Sequence, residues 1–392
     1  MGDEKHLAAF DVDGKAAIVS AVALGTLGVL SFIIQPALVQ GFVAELSVSE
    51  PEALNLAGIE MLGVAVATIA LALPRLRTDW RKLLTGALLV AVTGNILSVL
   101  LLGTSGIWGA RLIAGLGHGA IISLSFSFIG LTRKVDRNLA LYLTLLLTYG
   151  AFGIWVLPGF LQEFGFAGLF GSFALLLCAG LLTVGHVPRS ASARAEVPAA
   201  ARDLSRPLIV TALMGVFAYN LAQGIAWAVL FLVGLHAGLG EQPVATALFA
   251  SQILAIIGAL ASVFLAGLIG RRAALIAGIL GGAACIALLL GTPSAMLFLI
   301  AACGFNMLWN FVLPFILAAV GEFQTNGTMV GNAIAVQMLG LGIGPFVASW
   351  LTDGSTYLLV ELVCIGCFLI SFVLLMTALR AHNALLHEGE KA

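Results

Sequence analysis

Arg111, Gly115 and His118 fall on one helical face, because seven residues make two turns. All three lie in a long apolar run. A guanidinium keeps its charge, whereas an imidazole titrates near physiological pH. Stacked in this way, the pair could hold an anion or relay a proton. Glu60 lies about six residues into another apolar run, at a depth comparable to that of Arg111. Charge in a hydrocarbon environment is costly and is read as functional by default. Glu60, Arg111 and His118 are therefore the candidate proton-coupling residues. In this reading, protonating Glu60 releases Arg111 for an anionic substrate. The alternative is a purely structural ion pair.

A second set of residues is polar but uncharged. Asn220, Gln223 and Trp227 recur at helical spacing with Tyr219 adjacent, and Asn306, Trp309 and Asn310 follow the i, i+3, i+4 pattern. At 1.5 Å per residue, Asn220 lies about 18 Å from the polar end of its run. Gln35 stands beside Pro36, and Tyr149 beside Thr148. The candidate substrate-binding residues are Gln35, Arg111, His118, Tyr149, Asn220, Gln223, Trp227, Asn306, Trp309 and Asn310. Amides and indoles suit an organic solute with a ring and a few polar groups. Hydrogen bonding between helices is the competing use. Cys364 and Cys367 form a C-x-x-C inside an apolar run, and all five cysteines fall in such runs. Buried thiols are expected there rather than metal or redox chemistry. No phosphate loop, nucleophile elbow or zinc signature occurs. No catalytic residue, metal or cofactor is therefore expected, and the chain is read as a non-enzyme.

These residues must be carried by elements built for lipid. Of 392 residues, 61% are hydrophobic and 9% charged, and the mean hydropathy is +1.11. Soluble domains carry about 25% charged residues. The composition excludes a soluble enzyme, a nucleic-acid binder and a disordered chain, and implies a polytopic membrane protein. A spanning helix needs about 20 apolar residues. Twelve stretches qualify: 16–42, 54–73, 83–102, 108–131, 139–160, 167–187, 208–235, 244–269, 273–290, 295–320, 328–351 and 356–379. They are continuous and rich in Leu, Ala and Gly, which argues for helices rather than a barrel.

Every basic residue except Arg111 falls in the terminal segments or in alternate connections. By the positive-inside rule these face the cytoplasm, as do both termini. Residues 1–15 lack the basic start and short apolar core of a cleaved signal, so the first span is expected to direct insertion. The polar stretch PRSASARAEVPAAARDLSRP, residues 188–207, reads as a cytoplasmic linker between bundles 1–187 and 208–392. A faint internal echo supports two halves. Gly103-Thr104 and Gly291-Thr292 precede equivalent spans, with His118 and Asn306 fifteen residues after each glycine.

Twelve helices in two six-helix bundles, a basic middle loop and inside termini resemble the major facilitator superfamily over essentially the whole chain. Arg111-Leu-Ile-Ala-Gly115-Leu-Gly117 is similar to the family's R-x-x-x-G-x-G motif, in which the arginine is linked to proton coupling. Residues 267–272, GLIGRR, resemble a shortened cytoplasmic G-x-x-x-D-R-x-G-R-R motif without its aspartate. The loop 73–82 keeps only the basic end of that motif. Gly150, Gly153, Pro158 and Gly159 do not form the antiporter pattern G-P-x-x-G-G, and Gly340, Gly342, Gly344 and Pro345 resemble a flexible segment. The resemblance implies a pseudo-symmetric all-α fold. It also implies a proton-coupled secondary active transporter, symporter or antiporter, working by alternating access; the sparse charge of the spans argues against polyanions and favours a small amphipathic or aromatic solute, monoanionic or neutral. A monomer in the bacterial inner membrane is expected, with protons and the bilayer as partners and no nucleic acid. The last helix is peripheral in this family, so Glu361 is read as interfacial. Facilitated diffusion, or a non-transporting receptor on the same fold, remain the alternatives.

Overall fold

The computed structural model describes residues 11–72, 79–189, 204–265, 268–324, 329–352 and 354–391. The expectations for residues 1–10, for most of the linker 188–207, for the start of loop 73–82 and for Gly267 lie outside the described residues. The described residues form thirteen α-helices and no strand. They are α1 (Lys15–Leu27), α2 (Leu30–Ile33), α3 (Gln35–Leu46), α4 (Glu50–Ala72), α5 (Trp80–Leu100), α6 (Gly106–Ile129), α7 (Val135–Leu181), α8 (Arg206–His236), α9 (Glu241–Leu265), α10 (Arg271–Ala287), α11 (Ala295–Gly321), α12 (Met329–Leu351) and α13 (Leu358–Lys391). Nine of these are long and apolar enough to cross a membrane.

Two departures from the apolar pattern have backbone causes. The expected first span, 16–42, is broken into α1, α2 and α3, with Pro36 at the start of α3, where its missing N–H does least harm. The expected fifth and sixth spans run together as α7. This element breaks at Gly165, whose φ of 58° is open to glycine and strained for other residues.

Helix starts follow capping chemistry. The Ser49 amide donates to the Glu52 carboxylate at 3.0 Å, and the Glu52 amide returns to Ser49 Oγ at 3.4 Å, which opens α4. Asp79 accepts from the amides of Arg81 and Lys82 at the start of α5. Arg271 forms an ion pair with Glu322, one of its two contacts measuring 2.5 Å. The acid that the shortened 267–272 motif lacks is thus supplied from the end of α11.

α6 packs between α4 and α5, and α8 between α12 and α13. α4 also faces α12, and α7 faces α9. Leu100, Leu175, Phe264 and Trp350 point outward and are exposed. Such a surface is a liability in water and a fit for lipid. Small residues set the helix spacing. A Cβ on Gly115 would strike the Glu60 carbonyl of α4, and one on Gly117 would strike the backbone of Ala91 in α5. Gly115→Ala should therefore lower stability in detergent by about 1–3 kcal/mol, through overpacking against backbone. Gly159→Ala, where a Cβ meets nothing within 4 Å, should leave the thermal midpoint unchanged or raise it. Thermal unfolding of both variants checks this contrast.

Candidate functional site

The three ionisable candidates meet. Glu60 is 4% exposed, Arg111 0% and His118 1%. One carboxylate oxygen of Glu60 pairs with the Arg111 guanidinium, and the other lies 3.1 Å from His118 Nδ1. The two terminal nitrogens of Arg111 also reach Asn95 Oδ1 at 3.1 Å, Ser98 Oγ at 3.4 Å and Ser31 Oγ at 3.0 Å. The Phe170 ring stacks under the guanidinium at 4.4 Å. His118 Nε2 and Arg111 Nε have no partner. The shell of Asn95, Ser98, Ser31 and Phe170 escaped the sequence analysis. Asn95 and Ser98, at i and i+3, were its one legible signal.

The cluster does not open onto the main cavity but sits behind its wall. Met61 and Val64 on α4, and Ile122 and Phe126 on α6, line a cavity with about 800 Å³ of empty volume. Glu60 lies within about one turn of Met61 and Val64, and His118 about one turn before Ile122. Four candidates line this cavity: Trp227, Asn306, Trp309 and Asn310. Gln252 of α9 and Gln337 of α12 join them, and sequence reasoning missed both, although Gln252 is a lone amide in its apolar run and Gln337 shares its run only with Asn332. The side-chain carbonyls of Gln252 and Gln337 are buried without a partner. Among the described residues no charged side chain lines the cavity. Two indoles, Trp227 and Trp309, stand with ring centres 6.2 Å apart, and Phe32 packs edge-on to Trp309. Leu143 and Leu147 also border a second hollow between α7 and α9, toward the ends of these helices that carry the basic residues.

Several candidates take other positions. Arg111 and His118 are absent from the cavity wall, so Arg111 meets Glu60 there rather than an anionic ligand. Asn220 donates to the Val216 carbonyl, and Gln223 to the Tyr219 hydroxyl at 2.7 Å; both are buried away from the cavity. Their depth was legible, but the face of α8 that carries them packs on neighbouring helices. Gln35 is buried with its Oε1 unpartnered and does not line the cavity. Tyr149 donates to the Leu30 carbonyl at 2.8 Å. Trp227 Nε1 donates to the Phe32 carbonyl at 3.0 Å, and Gln252 Nε2 reaches the Ile33 carbonyl at 3.5 Å. These three side chains satisfy carbonyls freed by the break around α2, as an apolar medium requires.

Two further expectations are corrected. Glu361 is 5% exposed and therefore buried, not interfacial. Among the five free cysteines only Cys364 is buried, its thiol lying 3.2 Å from the Ala222 carbonyl, while Cys178 is exposed. Periodicity had no way to show which face of a helix meets lipid. Among the described residues no group of three or more His, Cys, Asp and Glu could hold a metal.

No protein-family model and no curated protein sequence matches the chain. Among solved structures it is similar to the crystal structure of a point mutant of the nucleoside transporter NupG. The TM-score is 0.68 at 12% sequence identity, over 92% of this chain and 99% of that one. At this identity the likeness is one of fold.

Removing one partner of a buried pair leaves the other charge uncompensated. Arg111→Met should therefore destabilise the protein by about 3–5 kcal/mol. Adding Glu60→Leu should recover most of that loss, as read in a double-mutant cycle of thermal unfolding.

Proposed function

We propose that this chain, which has the fold of the major facilitator superfamily, is a secondary active transporter for an uncharged, ring-bearing organic solute. One observation carries the reading. The cavity is lined by two indoles and four side-chain amides and, among the described residues, by no charged group. Indoles offer faces for a planar ring, and amide oxygens accept from N–H or O–H donors on a ligand. A polyanion would find no counter-charge there. Nucleosides combine a planar ring with such donors, and the fold likeness to NupG makes them the first class to test.

In this reading the protein has twelve spans in two six-helix bundles, 1–187 and 208–392, joined by a cytoplasmic linker. The broken α1–α3 segment counts as one span, α7 as two, and α10 as one. Both termini face the cytoplasm of the inner membrane, and the protein acts as a monomer. The bundles rock about the cavity. Side-chain bonds between the bundles support a cavity closed on the outer side. Gln40 Nε2 donates to Glu241 at 3.1 Å, Ser349 Oγ to Asn55 at 2.6 Å, and Glu50 joins His236 and Tyr357. All of these lie at or toward the ends remote from the basic residues.

Protons enter through Glu60. As a carboxylate it neutralises Arg111 and accepts from His118. Once protonated, it leaves Arg111 with neutral acceptors only, and the hold of α6 on α4 weakens. α4 also packs against α12, which carries Gln337 and the glycine-rich segment ending in Pro345. Proton binding is thereby passed to the cavity wall.

In proteoliposomes an imposed inward-acid gradient should change nucleoside flux, and aromatic carboxylates should not compete. Asn310→Ala and Gln337→Ala should each weaken binding about tenfold, the cost of one lost hydrogen bond of about 1.4 kcal/mol. Glu60→Gln should abolish the pH dependence while binding persists. Flux indifferent to pH in the unaltered protein would replace the coupled reading with facilitated diffusion.

A further inference from the structure

Beyond the Glu60 cluster, one more carboxylate is buried among the described residues: Glu361. It lies on α13, between two hollows. One is apolar, bounded by Ala226, Leu230, Ile286 and Leu289. The other, of about 600 Å³ empty volume, lies at the helix ends remote from the basic residues and is bounded by His236, Thr292, Thr356 and Tyr357. Among the described residues the Glu361 carboxylate has no hydrogen bond and no ion pair. The titratable groups facing it are few. Among the described residues, α8 offers His236, the approach to α13 offers Tyr357, α13 itself offers Cys364, and α10 with its following turn offers only the non-titrating Ile286, Leu289, Gly291 and Thr292. No α12 residue lines either hollow.

The same two side chains serve a second carboxylate. Tyr357 donates to Glu50 at 2.5 Å, and His236 Nε2 lies 3.0 Å from the other Glu50 oxygen. The His236 and Tyr357 rings pack edge to face at 5.1 Å. Glu50 belongs to α4, whereas His236 and Tyr357 belong to α8 and the approach to α13. These bonds therefore fasten the two sets of helices together. A phenol has one proton to donate and cannot serve two carboxylates at once.

The geometry points to Glu361 as a second proton-binding site, whose charge decides whether Tyr357 and His236 hold Glu50 or turn to Glu361. With a proton on Glu361 the carboxyl is neutral, asks for no counter-group, and leaves the bonds to Glu50 in place as observed. With that proton lost to the hollow, a buried anion needs donors; Tyr357 and His236 border it alongside the Thr292, Ser355 and Thr356 hydroxyls, and of these only Tyr357 and His236 also hold Glu50. Drawing them inward frees Glu50 and loosens this end of the molecule. The step transfers one proton between the carboxyl and water. It does not depend on which solute, if any, is carried.

The test is hydrogen–deuterium exchange on the full chain in nanodiscs, following residues 47–55 and 232–240. Exchange is compared between about pH 6 and about pH 9 after correction for the intrinsic amide rate. In the unaltered protein, protection of both segments should fall about tenfold as pH rises. Glu361→Gln, a permanent mimic of the protonated carboxyl, should stay protected throughout. Tyr357→Phe, which removes the shared donor, should be poorly protected at both ends of the range. His236→Gln should keep a pH dependence, since Glu361 remains. Protection that ignores pH in the unaltered protein would overturn the inference. So would a Glu361→Gln profile that follows the unaltered one, or pH dependence lost in His236→Gln but kept in Glu361→Gln.

Discussion

A guanidinium cannot stand bare in an apolar interior, and the packing of the first six helical segments is arranged around that of Arg111. Its charge is met by Glu60 from α4, its terminal nitrogens further by Asn95 and Ser98 from α5 and Ser31 from α2, and its face by Phe170 from α7. Four helices are therefore committed to one side chain on a fifth. The approach this requires is close, and the glycines following Arg111 permit it. Gly115 lets the α4 backbone touch α6, and Gly117 does the same for α5. The R-x-x-x-G-x-G pattern thus has a physical content of its own: a charge that must be surrounded, and the space to surround it.

The interrupted first span imposes a second requirement. Breaking a helix in lipid frees carbonyls that no water can satisfy. Those of Leu30, Phe32 and Ile33 are met by Tyr149, Trp227 and Gln252. Two of these donors come from α8 and α9, so the break is stabilised by helices from the other end of the chain. Trp227 and Gln252 also line the cavity. The groups that hold the first span in its broken form are thus placed where a bound solute would touch them.

Much of the fold was legible because lipid imposes a simple rule. A run long and apolar enough to cross must be a helix, and basic residues mark one set of ends. Eleven of the expected stretches correspond to segments that are helical over most of their length, with α7 merging two of them. The break of 16–42 was not legible, since Pro36 alone is compatible with an intact helix start. In the site, Glu60 and Arg111 could be paired from depth alone, because an isolated charge in hydrocarbon has so few remedies. Amides are harder to place. Asn220 and Gln223 looked as suitable as Asn306 and Asn310, yet the first pair faces a helix contact and the second faces a void. Gln252 and Gln337 were no less visible as residue types. Nothing local distinguishes a polar side chain that bonds a neighbour from one that waits for a ligand.

The amino-acid sequence by itself determined the solvent of this protein, its helical class, the ends that carry positive charge, and the need for Arg111, Glu60 and His118 to find one another. Each follows from the cost of exposing backbone or charge to hydrocarbon, which composition and depth already measure. Only the tertiary structure decided which side chains surround a cavity, which are spent on the broken span, and that Glu361 is buried beside the His236–Tyr357 pair. Those outcomes depend on the rotation of each helix about its axis. Rotation is set by packing against partners hundreds of residues away, such as Glu50 against Tyr357, and leaves no trace in a run of uniformly apolar residues.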